Sequence, residues 1–133
     1  MAFKPINFDN GLTKKIALAI SQTVLKGDTL VWASGYLAVG AANDETSDYV
    51  ALEAITTGAA EHTEILCVPA LHSGVSFEAD TSAETAVAQK GVTYELSDKN
   101  TLDNEATAAA TGFTVDEIVG VAADKKVIGR WVR

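Results

Sequence analysis

His62, Cys67 and His72 are the residues of this 133-residue chain best suited to hold a metal ion or to begin a nucleophilic attack. They are spaced five and five positions apart. A zinc site needs three or four nitrogen or sulfur ligands, usually including one close pair such as Cys-x2-Cys or His-x3-His. On a strand, side chains five apart point to opposite faces, so local geometry does not gather this trio. Cys67 lies inside the apolar run Ile65-Leu66-Cys67-Val68, the context of a core strand with an inert thiol, and both histidines read as surface residues. No Gly-x-Ser-x-Gly elbow offers another nucleophile. Glu78 and Asp80 share a strand face and are the nearest approach to a glycosidase pair, a spacing that solvated edge residues show equally. Asp44-Glu45-Thr46-Ser47-Asp48 collects acids without the alternating ligand order of a calcium loop. Neither glycine-rich phosphate-binding pattern occurs. The residues therefore predict no catalytic group, no metal and no cofactor, and point to a protein that works by binding.

The elements that would position these residues are strands. Ile16, Leu18 and Ile20 recur at period two after Lys14. Strands follow over 29–33 and 36–39 around a Ser34-Gly35 hairpin turn, then over 48–55, 64–68, 74–79 and 92–96, with a short one near Thr101-Leu102. Two more cover 113–121 and 126–132. The stretch 81–90 has caps and helix-forming residues and predicts one short helix. Short strands at this spacing describe a single antiparallel sandwich or barrel domain over 14–133. Residues 1–13 lack periodicity yet carry Phe3, Ile6 and Phe8, so they lie either on their own domain or on a neighbour.

Charge limits the partners. The chain carries 18 acids against 10 bases, net -8. Binding phosphate needs clustered Lys and Arg, so nucleic acid is excluded as the expected partner. Between Gly27 and Gln89 there is no Lys or Arg, while residues 1–26 carry four lysines against one acid. Residues 125–133 carry four bases and no acid. This distribution predicts basic, aromatic-bearing termini at a docking face and an acidic middle turned away from it. Trp131 alternates with Val127 and Gly129 and reads either as core or as an interface anchor. No run approaches the length of a membrane span, and the start lacks the pattern of a secretory signal, so a product of the cytoplasm is expected.

The segment 19–31, followed by Ser34-Gly35-Tyr36-Leu37, resembles the opening of head decoration, or capsid cement, proteins of tailed bacteriophages. Gly91–Leu96, Phe113-Thr114-Val115 and Lys126–Val132 follow the same cadence. The resemblance spans 14–133 and is one of pattern, not of an invariant motif. It implies a compact antiparallel β-barrel or β-tulip domain on the outer surface of the virion capsid, assembled as a homotrimer and clamping neighbouring major capsid protein subunits. By position only, residues 1–13 would be an extended N-terminal arm that adds a strand to a capsid sheet. The expected capsid-interface residues are Phe3, Lys4, Ile6, Phe8, Lys14, Lys15 and Trp131. Alternatives are another phage structural part (tail, head fibre or adaptor) and a small carbohydrate- or ligand-binding β-module using Trp32, Tyr36 or Trp131.

Overall fold

Alternating runs divided by Gly, Asp and Ser become strands in the computed structural model, which describes residues 3–7, 10–42, 44, 46–72, 74–106, 108–109 and 111–132. In chain order they are β1 (Lys4–Asn7), β2 (Lys14–Ala17), β3 (Thr23–Val24), β4 (Thr29–Ala33), β5 (Tyr36–Val39), β6 (Tyr49–Ala51) and β7 (Ile55–Thr56). Then come β8 (Glu64–Pro69), β9 (Ser76–Thr81), β10 (Thr93–Tyr94), β11 (Leu96–Asp98), β12 (Thr101–Leu102), β13 (Gly112–Val119) and β14 (Lys126–Val132). The helical content of the described residues is three single turns of 3-10 helix, Asn10–Leu12, Val87–Gln89 and Ala122–Asp124. The protein is all-β.

Two sheets carry the architecture. The large one has the order β10-β13-β14-β9-β12-β11, with β1 also paired to β9. β14 runs along one edge of β9, while β1 and β12 share the other. The second sheet has the order β2-β8-β6-β4-β5 and curls until Leu18, just past β2, meets Leu37 of β5 in one isolated parallel bridge. One bridge is not a ladder, so the expected barrel is approached but not closed. The Ser34-Gly35 turn forms as predicted, with φ of 52° and 87°, the pair of positive values that a type I′ hairpin requires.

Two apolar clusters fill the fold. Leu18, Val24, Leu30, Leu37, Ile65 and Cys67 pack inside the curled sheet. Phe3, Val50, Val68, Phe77, Phe113, Val127 and Trp131 belong to the larger cluster, which draws on both sheets. β6 and β8 serve both, because Val50 and Val68 join one cluster while Ala51, Ile65 and Cys67 join the other. A strand buried on both faces reads as a continuous apolar run, which is why 65–68 shows no alternation.

The helix expected over 81–90 does not form; one 3-10 turn at Val87–Gln89 stands in its place. The buried Asn104 side chain takes the backbone groups a helix would use. Its Oδ1 accepts from Ala83 N at 3.0 Å, and its Nδ2 donates to the carbonyls of Ala83 and Glu84, each at 3.1 Å. Thr85 N donates to Ala122 O at 3.2 Å. Tertiary hydrogen bonds here outweigh a propensity worth only tenths of a kcal/mol per residue.

Candidate functional site

The residues expected at an interface separate into two groups. Phe3 and Trp131 are inside the core: their ring centroids are 5.1 Å apart, and each lies 5.4 Å from that of Phe113. Burying large aromatic surface against two other rings outweighs leaving it for a partner, so both are corrected from interface anchors to core residues. The arm is corrected with them. Lys4–Asn7 adds a strand to the chain's own β9, and Phe3 N donates to Gly27 O at 3.0 Å. Lys4, Ile6, Lys14 and Lys15 remain exposed. Phe8 lies outside the described residues.

The basic termini do not form a separate pole. β14 sits between β13 and the acidic β9, so its cations meet acids at once: Lys126 Nζ is 2.7 Å from Asp80 Oδ1 and 4.0 Å from Glu78, and Arg130 is 3.5 Å from Asp116. The hydrogen bond to Asp80 raises the Lys126 pKa, with the charges of Asp80, Glu78 and Asp124 adding to it against partial burial. Lys4 stands across from Glu78 in the strand register. Another ion pair is more deeply set. Asp28 is fully buried, 3.0 Å from Lys99 Nζ, and accepts from Leu25 N at 2.8 Å and from Asn100 Nδ2 at 3.3 Å. It ties the start of β4 to the turn between β11 and β12. By contrast, Lys14 and Lys15 have no ion-pair partner within 4 Å among the described residues.

The residues first considered for chemistry are spread apart and structurally engaged. Cys67 is buried, and burial is the main cause that pushes its thiol up to about 12, with Lys14 opposing and Glu53 reinforcing. The Nδ1–H of His62 donates to Leu18 O at 2.9 Å, and the ring stacks on Tyr36 at 3.7 Å. His72 Nδ1 accepts from Gly74 N. Asp44 and Asp48 accept from Ala41 N and Trp32 N, at 2.9 and 3.0 Å; Glu45 lies outside the described residues. No group of three or more His, Cys, Asp or Glu gathers among the described residues. Among the described residues no helix is long and apolar enough to cross a membrane.

No family model, curated protein or solved structure matches this chain.

Contact with a partner must then be read from the surface itself. Strand addition is poorly supported at the edges formed by β5, β10, β11 and β1. Leu37 O and Val39 N on β5 are bonded to Ala19 N and Gln22 Oε1. Thr93 O on β10 is taken by Ala109 N, and Leu96 N on β11 by Asp44 O. β1 is short, contains Pro5 and shifts register between Pro5 and Asn7, all devices that discourage pairing. The surface also offers side chains. Along the N-terminal segment these are Ile6, 43% exposed, with the lysines already named. The sequence reading missed a second set, Val87 and Val121, which are 77% and 67% exposed. Their signal is visible in retrospect: the apolar triplets Ala86-Val87-Ala88 and Val121-Ala122-Ala123 sit in turns, where polar residues normally stand.

Proposed function

We propose that this chain is a structural virion protein that docks on the outer surface of a tailed-phage head, binding the major capsid protein in the manner of head decoration proteins. The observation that carries this reading is the N-terminal segment. Exposed Lys14 and Lys15, without ion-pair partners among the described residues, follow exposed Lys4 and Ile6 on a chain of net charge -8. Cations left uncompensated favour an acidic partner surface, while the net charge of -8 works against non-specific association of the copies themselves. The resemblance of 19–31, 34–37, 91–96, 113–115 and 126–132 to capsid cement proteins supplies the kind of partner, and the all-β fold is compatible with it. In this reading the protein clamps neighbouring capsid subunits, is located on the virion and performs no catalysis. The test is co-sedimentation with shells assembled from the major capsid protein of the same genome, before and after expansion. Wild-type protein binds expanded shells, and the Lys14→Glu/Lys15→Glu variant loses at least tenfold in affinity with its melting temperature retained. Equal binding by that variant would refute the lysine face, and no binding by the wild type would refute the function.

A second reading has one observation in its favour. Trp32 is half exposed and held edge-on by Tyr49, ring centroids 5.9 Å apart, the kind of aromatic surface on which a sugar ring stacks. Saturable quenching of Trp32 fluorescence by an oligosaccharide, absent in Trp32→Ala, would select this ligand-binding module over the capsid protein.

A further inference from the structure

We propose that the free edge of β2 is a strand-addition site for an extended acidic segment of a partner protein. The proposal rests on the lysine face of the preceding reading and names what that face receives. The register decides which backbone groups are available. Lys14 stands opposite Cys67 and Ile16 opposite Ile65, and the ladder continues with Leu18 N donating to Thr63 O at 3.0 Å. In an antiparallel pair hydrogen-bonded residues alternate with non-bonded ones. Lys14 and Ile16 therefore bond to β8, while the N–H and C=O of Lys15 and the N–H of Ala17 point away from it. Leu66, opposite Lys15, turns its own carbonyl to Leu52 N at 2.9 Å, on the far side of β8. Past Ala17 the edge is closed by β5, where Leu18 bridges Leu37 and Ala19 N donates to Leu37 O at 2.8 Å. Among the described residues none bonds the outward groups of Lys15 or the Ala17 N–H. The devices seen at β1 are missing here: Lys14–Ala17 contains no proline, and its register to β8 is unbroken.

The two lysines determine what can lie there. Successive side chains of a strand point to opposite faces, so Lys14 and Lys15 set one cation on each face of the sheet beside the edge. Both are exposed and have no ion-pair partner within 4 Å among the described residues. The β2 edge of a second copy is disfavoured, because its lysines would stand against these across the new ladder, which is how lysine on an edge strand prevents self-pairing. A strand with two adjacent acids does the opposite. It places one carboxylate against each lysine while its backbone closes the open N–H and C=O of Lys15. Backbone bonds supply the docking, and the acid pair supplies the selectivity. With so few bonds a free segment binds weakly, with a dissociation constant of roughly 0.1–1 mM.

Three end-blocked hexapeptides test it on the full chain: Thr-Val-Glu-Glu-Val-Thr, its Lys-Lys counterpart, and the Glu-Glu peptide N-methylated at both glutamates. The last keeps the charge but blocks the ladder on either edge. Amide hydrogen exchange reads the site, since in the free protein Lys15 and Ala17 should exchange fast while Ile16 is protected. Saturating Glu-Glu peptide should slow Lys15 and Ala17 at least fivefold, and neither other peptide should. Ala17→Pro keeps both lysines and every bond to β8, but removes one outward donor and sets its ring on the edge. It should abolish the protection at Lys15 and weaken binding to expanded shells at least fivefold, with melting temperature retained. Glu-Glu peptide that binds without protecting Lys15, or equal binding by the methylated peptide, overturns strand addition and leaves the lysine face as a purely electrostatic contact. An Ala17→Pro variant that binds shells like the wild type does the same. No binding of the Glu-Glu peptide up to roughly 10 mM also overturns the proposal. Failure of the wild type to bind shells strikes the capsid reading alone, because the peptide experiment involves neither shells nor a variant.

Discussion

Replacing Phe3 with alanine should remove a large part of the domain's stability, although Phe3 is third in the chain. Its side chain is fully buried, with ring contacts to Phe113 and Trp131 at centroid separations of 5.4 and 5.1 Å. Truncating a core phenylalanine costs about 3–5 kcal/mol through lost burial and the cavity left behind. The two aromatic contacts place this site at the upper end of that range. Against a total stability of about 5–15 kcal/mol, the loss is a large fraction. For a domain of this length it corresponds to a fall in melting temperature of about 10–20 °C. Urea titration followed by tryptophan fluorescence measures it directly, since Trp131 lies against the altered site. Ile6→Ala is the internal control: on the same strand but exposed, it should change stability by no more than about 0.5 kcal/mol. If Phe3→Ala melts within about 3 °C of the parent while Ile6→Ala behaves as stated, residues 3–7 are a detachable arm and the packing argument is wrong.

Asp28→Asn breaks the ion pair to Lys99 while leaving an acceptor for Leu25 N. It should cost about 1–3 kcal/mol by urea denaturation, less than a fully buried pair because Lys99, 29% exposed, regains water. Cys67 should resist an aromatic disulfide reagent at pH 8 in the folded protein and react only on unfolding, because burial holds the thiol protonated. The same shift makes stability pH-dependent. The folded thiol titrates at about 12 and the ordinary value is 9.0, so between them the folded state holds a proton that the unfolded state releases. Stability is therefore retained below pH 9 and falls as the pH rises toward 12. Cys67→Ala should flatten that decline in alkaline urea titrations; an unchanged slope would assign it to other groups.

Much of the fold is legible in the residues. Period-two alternation marks β4, β5 and β14, and the Ser34-Gly35 pair marks the turn between two of them. Trp131 alternates with Val127 and Gly129, which already allows the core position it occupies. Pairing between distant strands is less accessible. The basic C-terminal strand suggests a basic pole, and only the sheet order reveals that it lies against Glu78 and Asp80. Helix propensity over 81–90 is real, but Asn104, some twenty residues further on, claims the backbone that a helix needs. The apolar triplets around Val87 and Val121 stand out in the residues, but that their loops meet, Thr85 N on Ala122 O, follows only from the fold. Phe3 shows the limit most plainly: aperiodic residues carry no sign of whether they pack on themselves or on a partner.

The place of β14 in the large sheet has a consequence for how the chain is made. It is the strand furthest along the sequence, yet it lies between β9 and β13 and pairs with both. During synthesis β9 and β13 emerge first and have no bond to each other until β14 arrives. The curled sheet, drawn entirely from residues 14–69, can assemble earlier. Translation order and assembly order thus differ in the larger half, whose two parts, β9 with β1, β12 and β11 on one side and β13 with β10 on the other, stay unjoined until its centre is delivered. A ribosome stalled before Lys126 would hold a product with one sheet built and the other open along its middle.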